Sequence, residues 1–185
     1  MMAAEEPYST ESESPDYDIR AYEPMLVAET TIQADFDDAG SQGFRLLANY
    51  IFGNNQSRAS MAMTARRGQK QGSEKIAMTA PVNQIQTQRG FLVQFTMPAS
   101  YTLATLPKPN DTRVHLREIP TRKMAVSTYR GSWSQASYQQ HRSELLLALK
   151  RNGIHTTGEP IFARFNSPFQ LWFLRRNEIW IEVVP

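Results

Sequence analysis

Cysteine is absent from the 185-residue chain. That excludes a disulfide framework, a thiolate metal site and a thiol nucleophile. Histidine is scarce, and His115, His141 and His155 are too scattered for a multi-histidine metal site. No apolar run approaches the ~18 residues of a membrane-spanning helix, so a soluble protein is expected. The start offers no basic segment followed by an apolar one, so no signal peptide is expected. Ala3-Ala4-Glu5-Glu6-Pro7 behind a double Met reads as a mature terminus recloned after a start codon. On that reading the protein is periplasmic; otherwise it is cytoplasmic. Nucleophilic Ser-His-Asp spacing is missing, and Gly68-Gln-Lys-Gln-Gly72 lacks the Gly-Lys-Ser/Thr ending of a phosphate loop.

What is present is unevenly distributed charge. Residues 1–18 carry Glu5, Glu6, Glu11, Glu13, Asp16 and Asp18 without a single base, so the formal +2 hides a strongly basic body. Such a body favours anionic partners, or simply a solvated surface. Residues 1–16, acidic and rich in Ser and Pro, read as a disordered tail, and residues 17–185 as one domain.

Within that domain the chain reads as one unit written twice, with halves at about 17–98 and 113–185. Met25 to Gln33 is apolar and β-branched enough for a strand. Asp35 then caps a helix bearing Phe36, Phe44, Leu47, Tyr50 and Ile51, which stops at Gly53. Strands are expected around Lys75 to Val82 and over Phe91 to Met97. A proline-punctuated connection over 99–111 leads to the second half. There Val114 to Arg117 and Lys123 to Tyr129 flank Pro120, and Ser132 or Ser134 caps a helix with Tyr138, His141, Leu145 and Leu149. Ile161 to Phe165 and Glu178 to Val184 close the plan. Leu46-Leu47-Ala48 followed by Gly53 recurs as Leu146-Leu147-Ala148 followed by Gly153. The expected fold is α+β: two βαββ halves forming a curved sheet or barrel, with two helices packed outside.

The tetrapeptide Ala-Met-Thr-Ala occurs twice, at Ala62 to Ala65 and Ala77 to Ala80. In a strand Met61, Met63 and Ala65 share one face, and Ile76, Met78 and Ala80 share one face of the second copy. The linking Arg66-Arg67-Gly68-Gln-Lys70-Gln-Gly72 suits either a hairpin tip or a surface insertion. Methionine fills irregular apolar gaps. Core packing explains Met78 and Met97, whereas Met61 and Met63 could equally face a flat apolar ligand with acid groups for the nearby cations.

Four segments carry a family resemblance: Tyr17-Asp-Ile-Arg-Ala-Tyr-Glu-Pro24, Tyr50-Ile-Phe-Gly-Asn-Asn55, Lys75-Ile-Ala-Met-Thr-Ala-Pro-Val82 and Phe173-Leu-Arg-Arg-Asn-Glu-Ile179. Over residues 17–184 the chain resembles the SOUL haem-binding protein family. The resemblance implies a duplicated βαββ barrel, akin to the effector-binding domains of some transcription regulators. It also implies reversible binding of haem or another tetrapyrrole, often without a strong axial ligand. Carried onto this sequence, it implies contacts from Tyr50, Asn54, Met61, Met63 and Met78, with Arg58, Lys75 or Arg175 facing the propionates. The iron ligand is open: with Cys absent, Met63, Met78 or Tyr50 stand as weak candidates.

Two other readings use the same cleft. One is an enzyme for a small hydrophobic substrate, with Glu178 or Tyr50 as acid–base group; the other is an interaction module without a small ligand. Arg175 and Arg176 are an anion site, or partners of Glu178 that set the last strand. Nucleic acid is disfavoured: it calls for exposed aromatics among basic residues, and Trp172 and Trp180 lie in apolar runs and read as core.

Overall fold

In the computed structural model of the protein, the described residues are 4–58, 72–166 and 170–184. In chain order they form β1 (Ala4–Glu5), β2 (Tyr8–Glu13), β3 (Asp18–Tyr22), β4 (Met25–Ile32), α1 (Phe36–Ile51), β5 (Asn55–Gln56), β6 (Thr79–Ala80), β7 (Val82–Thr87) and β8 (Gly90–Thr96). Then come β9 (Lys108–Pro109), β10 (His115–Ile119), β11 (Arg122–Arg130), α2 (Gln135–Arg151), β12 (Thr156–Arg164), a 3-10 turn (Trp172–Leu174) and β13 (Arg176–Val183). The repeated Ala-Met-Thr-Ala at 62–65, with Met61 and Met63, lies outside the described residues.

Both helices start at side-chain caps. Asp35 accepts from the Asp38 backbone N–H at 2.9 Å, and Asp37 and Asp38 sit at the positive end of the helix dipole. Ser134 caps α2 through the Ser137 N–H, and Lys150 and Arg151 occupy its last turn. Gly53 and Gly153 follow the two helices at φ 122° and 67°, a region that glycine enters without a Cβ clash.

Nine strands make one antiparallel sheet in the order β10-β4-β8-β7-β12-β13-β11-β3-β2. The order is symmetric about the β7–β12 pair. On one side the elements β4, α1, β7 and β8 are laid out as β4-β8-β7; on the other β11, α2, β12 and β13 are laid out as β12-β13-β11. The leading strand of each half crosses to the other: β3 pairs with β11, and β10 with β4. The duplicated α+β plan read in the sequence is therefore the observed one, with this exchange tying the halves together.

Strand alternation divides the core. On the helix face α1 packs Leu47, Tyr50 and Ile51 against Ala28, Val93 and Phe95. Beside it α2 packs Tyr138, Leu145 and Leu149 against Ala125, Phe162, Ile179 and Ile181. The opposite face carries Tyr22, Val27, Met124, Val126, Ile161 and Trp180. Gly43 lets α1 lie close to β8, since a Cβ there would come within 2.5 Å of Val93 Cγ2.

Two expectations need correction. Residues 1–16 do not form a disordered tail where described: β2 adds to the sheet edge beside β3, and β1 pairs in parallel with β6. Burial and ion pairing outweigh the acidic composition. Glu6 is buried, Glu5 meets Arg176 at 3.0 Å, Glu11 meets Lys123 at 2.8 Å, and Tyr8 lies 5.3 Å from Tyr22. The strand expected over Lys75 to Val82 exists only from Thr79, and the main strand continues to Thr87. Residues 72–78 are instead clipped to the end of α1, where Ile76 N–H donates to Ile51 O and Asn55 exchanges hydrogen bonds with the Glu74 backbone.

Candidate functional site

Tyr50, Asn54, Arg58, Lys75 and Met78 gather around the C-terminal end of α1, mostly in tethering roles. Tyr50 is 1% exposed and its hydroxyl donates to Pro107 O at 2.9 Å; burial pushes its pKa up. Asn54 accepts from Asn110 Nδ2, and Arg58 Nε donates to Leu106 O at 3.0 Å. Tyr101 donates to Glu74 at 2.6 Å, a bond that with burial pushes its hydroxyl up to about 12. Lys75 is exposed, and Met78 is half-buried against the apolar cluster beneath α1. Arg175 stands apart from this group, with its guanidinium 4.2 Å from the ring centre of Trp133 and its Nε donating to Gln170 O.

Trp133 leads to a feature that no sequence motif marked. A cavity of about 320 Å³ opens between the middle of α1 and the central strand pair, lined by Gly40, Phe44, Val82, Trp133, Arg164 and Asn166 among others. Val82 and Arg164 face each other in register across β7–β12, on the axis of the duplication. Arg164 Nε and Nη2 are closed off from water and have no hydrogen-bond partner. The guanidinium instead lies over two rings, 5.4 Å from Trp133 and 5.8 Å from Phe162. Burial pushes it down to about 10, and Asp37 partly offsets this. Gly40 makes the seat possible: a Cβ there would come within 2.7 Å of Gln84 Oε1 and 2.9 Å of Arg164 Nη1.

Arg164 is half-buried, but its two shielded nitrogens have lost water without gaining a hydrogen bond, which costs stability. It sits beside apolar Phe44, Val82 and Trp133, a combination whose chemistry suits an anion on an apolar body. A tetrapyrrole with carboxylate side chains has that chemistry, and these residues fit one. The lining contributes no His, Met, Tyr or Cys, and among the described residues no group of three or more His, Cys, Asp or Glu could hold a metal ion. A glycine pair inside an amphipathic helix, Gly40 and Gly43, was the available signal, since such glycines usually permit close approach. The partner they admit, Arg164, could not be read from spacing.

Other charged groups are less suited. A cavity of about 390 Å³ beside β1 is lined by Glu5, Glu6 and Glu118, which oppose an anion. Glu178, one of the acid–base candidates, is fully buried on the opposite face of the sheet among Arg20, Arg176 and Trp180. His115 and His155 are exposed, and His141 stacks on Tyr129 at 3.9 Å. Among the described residues no helix is long and apolar enough to cross a membrane.

Comparison with known proteins gives concordant findings. The family model described as SOUL heme-binding protein matches residues 4–67 and 66–182. The chain is similar to heme-binding protein 1 of Xenopus tropicalis, with 24% identity over 89% of this chain and 82% of that one. It is also similar to heme-binding protein 2 of Homo sapiens, with 26% identity over 89% and 77%. Among solved structures, an uncharacterized conserved protein from Listeria innocua superposes with a TM-score of 0.63 at 12% identity, covering 94% of both chains. The EcmrR C-terminal domain does so with a TM-score of 0.56 at 14% identity, covering 96% and 98%. These structural likenesses concern the fold alone.

Proposed function

Because the chain belongs to the SOUL haem-binding protein family, we propose that it binds haem or a related tetrapyrrole reversibly, in a carrier, buffer or delivery role. The observation that carries the reading is Arg164, whose Nε and Nη2 have no hydrogen-bond partner among the described residues, at a cavity with apolar walls on the family's duplicated fold. One ligand carboxylate pairs with Arg164, and one edge of the ring rests on Phe44, Val82 and Trp133. A cavity of about 320 Å³ is at the small end of ligand pockets, roughly 300–1,000 Å³. It therefore takes an edge of the ring; Arg175, Asn54, Arg58, Lys75 and Met78 belong to the proposal through the family resemblance, and Tyr50 only as a buried tether at the end of α1. Met61 and Met63 belong to this proposal through their sequence motif. Haem would supply its own iron chemistry when bound; the chain's part is to bind, orient and release.

Reversible carriage follows from the donor set. Contact and charge pairing hold the ligand without a strong protein–iron bond, so exchange stays fast compared with that of a histidine-ligated haem. A haemin titration followed at the Soret band tests this. The expected result is a saturable one-to-one shift, weakened in Met63→Ala/Met78→Ala, with the haem passing to added apomyoglobin. A non-saturating response contradicts the reading.

A further inference from the structure

The 3-10 turn before β13 exposes four consecutive large apolar side chains, Trp172 among them despite its reading as core from the apolar run: Leu171 at 59%, Trp172 at 61%, Phe173 at 51% and Leu174 at 42%. This is no loosely held loop. Leu174 N–H donates to Leu171 O at 2.9 Å, and Gly131 N–H donates to Arg175 O at 3.2 Å. Two arginines brace its base: Arg130 Nη1 donates to Leu174 O at 3.2 Å, and Arg175 Nε donates to Gln170 O at 2.9 Å. Trp172 and Phe173 meet edge to face at 5.7 Å. Residues 130–134 and 170–177 contain no Asp or Glu. The nearest carboxylate in sequence, Glu178, is fully buried.

We propose that this turn docks the protein reversibly onto an anionic phospholipid surface, with Trp172 and Phe173 entering the headgroup boundary and Arg130 and Arg175 facing lipid phosphates. Aromatic side chains are preferred at that depth. Each cation near an anionic leaflet adds to the attraction, and salt screens it. Apolar tip and basic base together make the two-part signal that weak peripheral anchoring needs. A protein partner would instead be met by a rim of mixed charge; here Arg130 and Arg175 stand at the base, and Glu5, the carboxylate that reaches the neighbouring Arg176, is taken up in that ion pair at 3.0 Å. Leu171 to Leu174 do not line the cavity beside α1; Arg175 is shared with the proposed ligand site, so Arg130 is the cation whose variant separates the two.

Vesicle sedimentation of the full chain tests it, with vesicles of phosphatidylcholine alone and of phosphatidylcholine mixed with phosphatidylglycerol. The expected result is binding to the mixed vesicles, weakened by salt, with a blue shift in tryptophan emission. Brominated lipid then quenches the emission, and the quench is lost in Trp172→Ser/Phe173→Ser, which keeps the half-buried Trp133 and the 1% exposed Trp180. Trp172→Ser/Phe173→Ser lowers partitioning about tenfold or more, and Arg130→Glu lowers it on the anionic vesicles alone. Both variants alter exposed positions and keep the far-UV spectrum. Absence of binding to mixed vesicles, or unchanged binding in the double variant, overturns the proposal. So does a dimer in light scattering that the double variant abolishes, which would assign the turn to a second copy of the chain.

Discussion

The carboxylate of Glu178 has no solvent exposure and receives hydrogen bonds from Arg20 Nη1 at 3.1 Å, Arg176 Nη2 at 2.7 Å, Trp180 Nε1 at 2.6 Å and Thr128 Oγ1 at 3.3 Å. Every acceptor direction is in use, so the charge is held and its chemistry is spent on structure. Removing it leaves Arg20, itself 6% exposed at the side chain, as a buried cation with one fewer partner. Glu178→Ala should therefore cost about 3–5 kcal/mol, read as a shift in the urea midpoint, while haemin affinity is unchanged because Glu178 faces away from α1. Equal stability of variant and parent would contradict this role. Arg164 is the opposite case: its Nε and Nη2 have no hydrogen-bond partner among the described residues, and it lies on the face that carries α1.

At the scale of elements, the N-terminal segment shows how a charge-based reading can mislead. Six acids without a base read as disorder, yet Glu5, Glu6 and Glu11 find Arg176, Thr96 and Lys123 in the folded chain. Those partners lie at the other end of the sequence or in its middle, and no local window contains them. Glu6 keeps a raised pKa chiefly because burial disfavours its charge, with Glu178 adding to the effect; Thr96, Arg122 and Asn83 pull it back. The docked segment thus binds more protons than a released one between the ordinary carboxylate range and the raised value, so docking weakens as pH rises through that window. Hydrogen-exchange protection factors of β1 and β6 should fall from mildly acidic to neutral pH, and Glu6→Gln should flatten the change. A rise with pH would contradict the assignment. The helices, by contrast, were legible almost residue by residue, because Asp35, Ser134, Gly53 and Gly153 act locally. The strand over 75–82 was misplaced for the reverse reason: tethers from Asn55 and Ile51 hold residues 72–78 off the sheet.

For the whole molecule, the duplication visible in Leu46-Leu47-Ala48 and Leu146-Leu147-Ala148 places β7 beside β12 and so creates the central seam. What the sequence left hidden was the content of that seam. Arg164, Trp133 and Gly40 come from three separate segments, and only the packing of α1 on the paired halves brings them together. On the proposed function the seam is a trade: stability given up at Arg164 in the free protein is returned when an anionic apolar ligand enters. Arg164→Met, similar in length and uncharged, tests this most directly through two readings on one sample. The predicted result is a higher thermal midpoint without ligand and a haemin affinity lower by about tenfold or more. A variant that binds haemin as tightly as the parent, or that gains no stability while losing affinity, would contradict it.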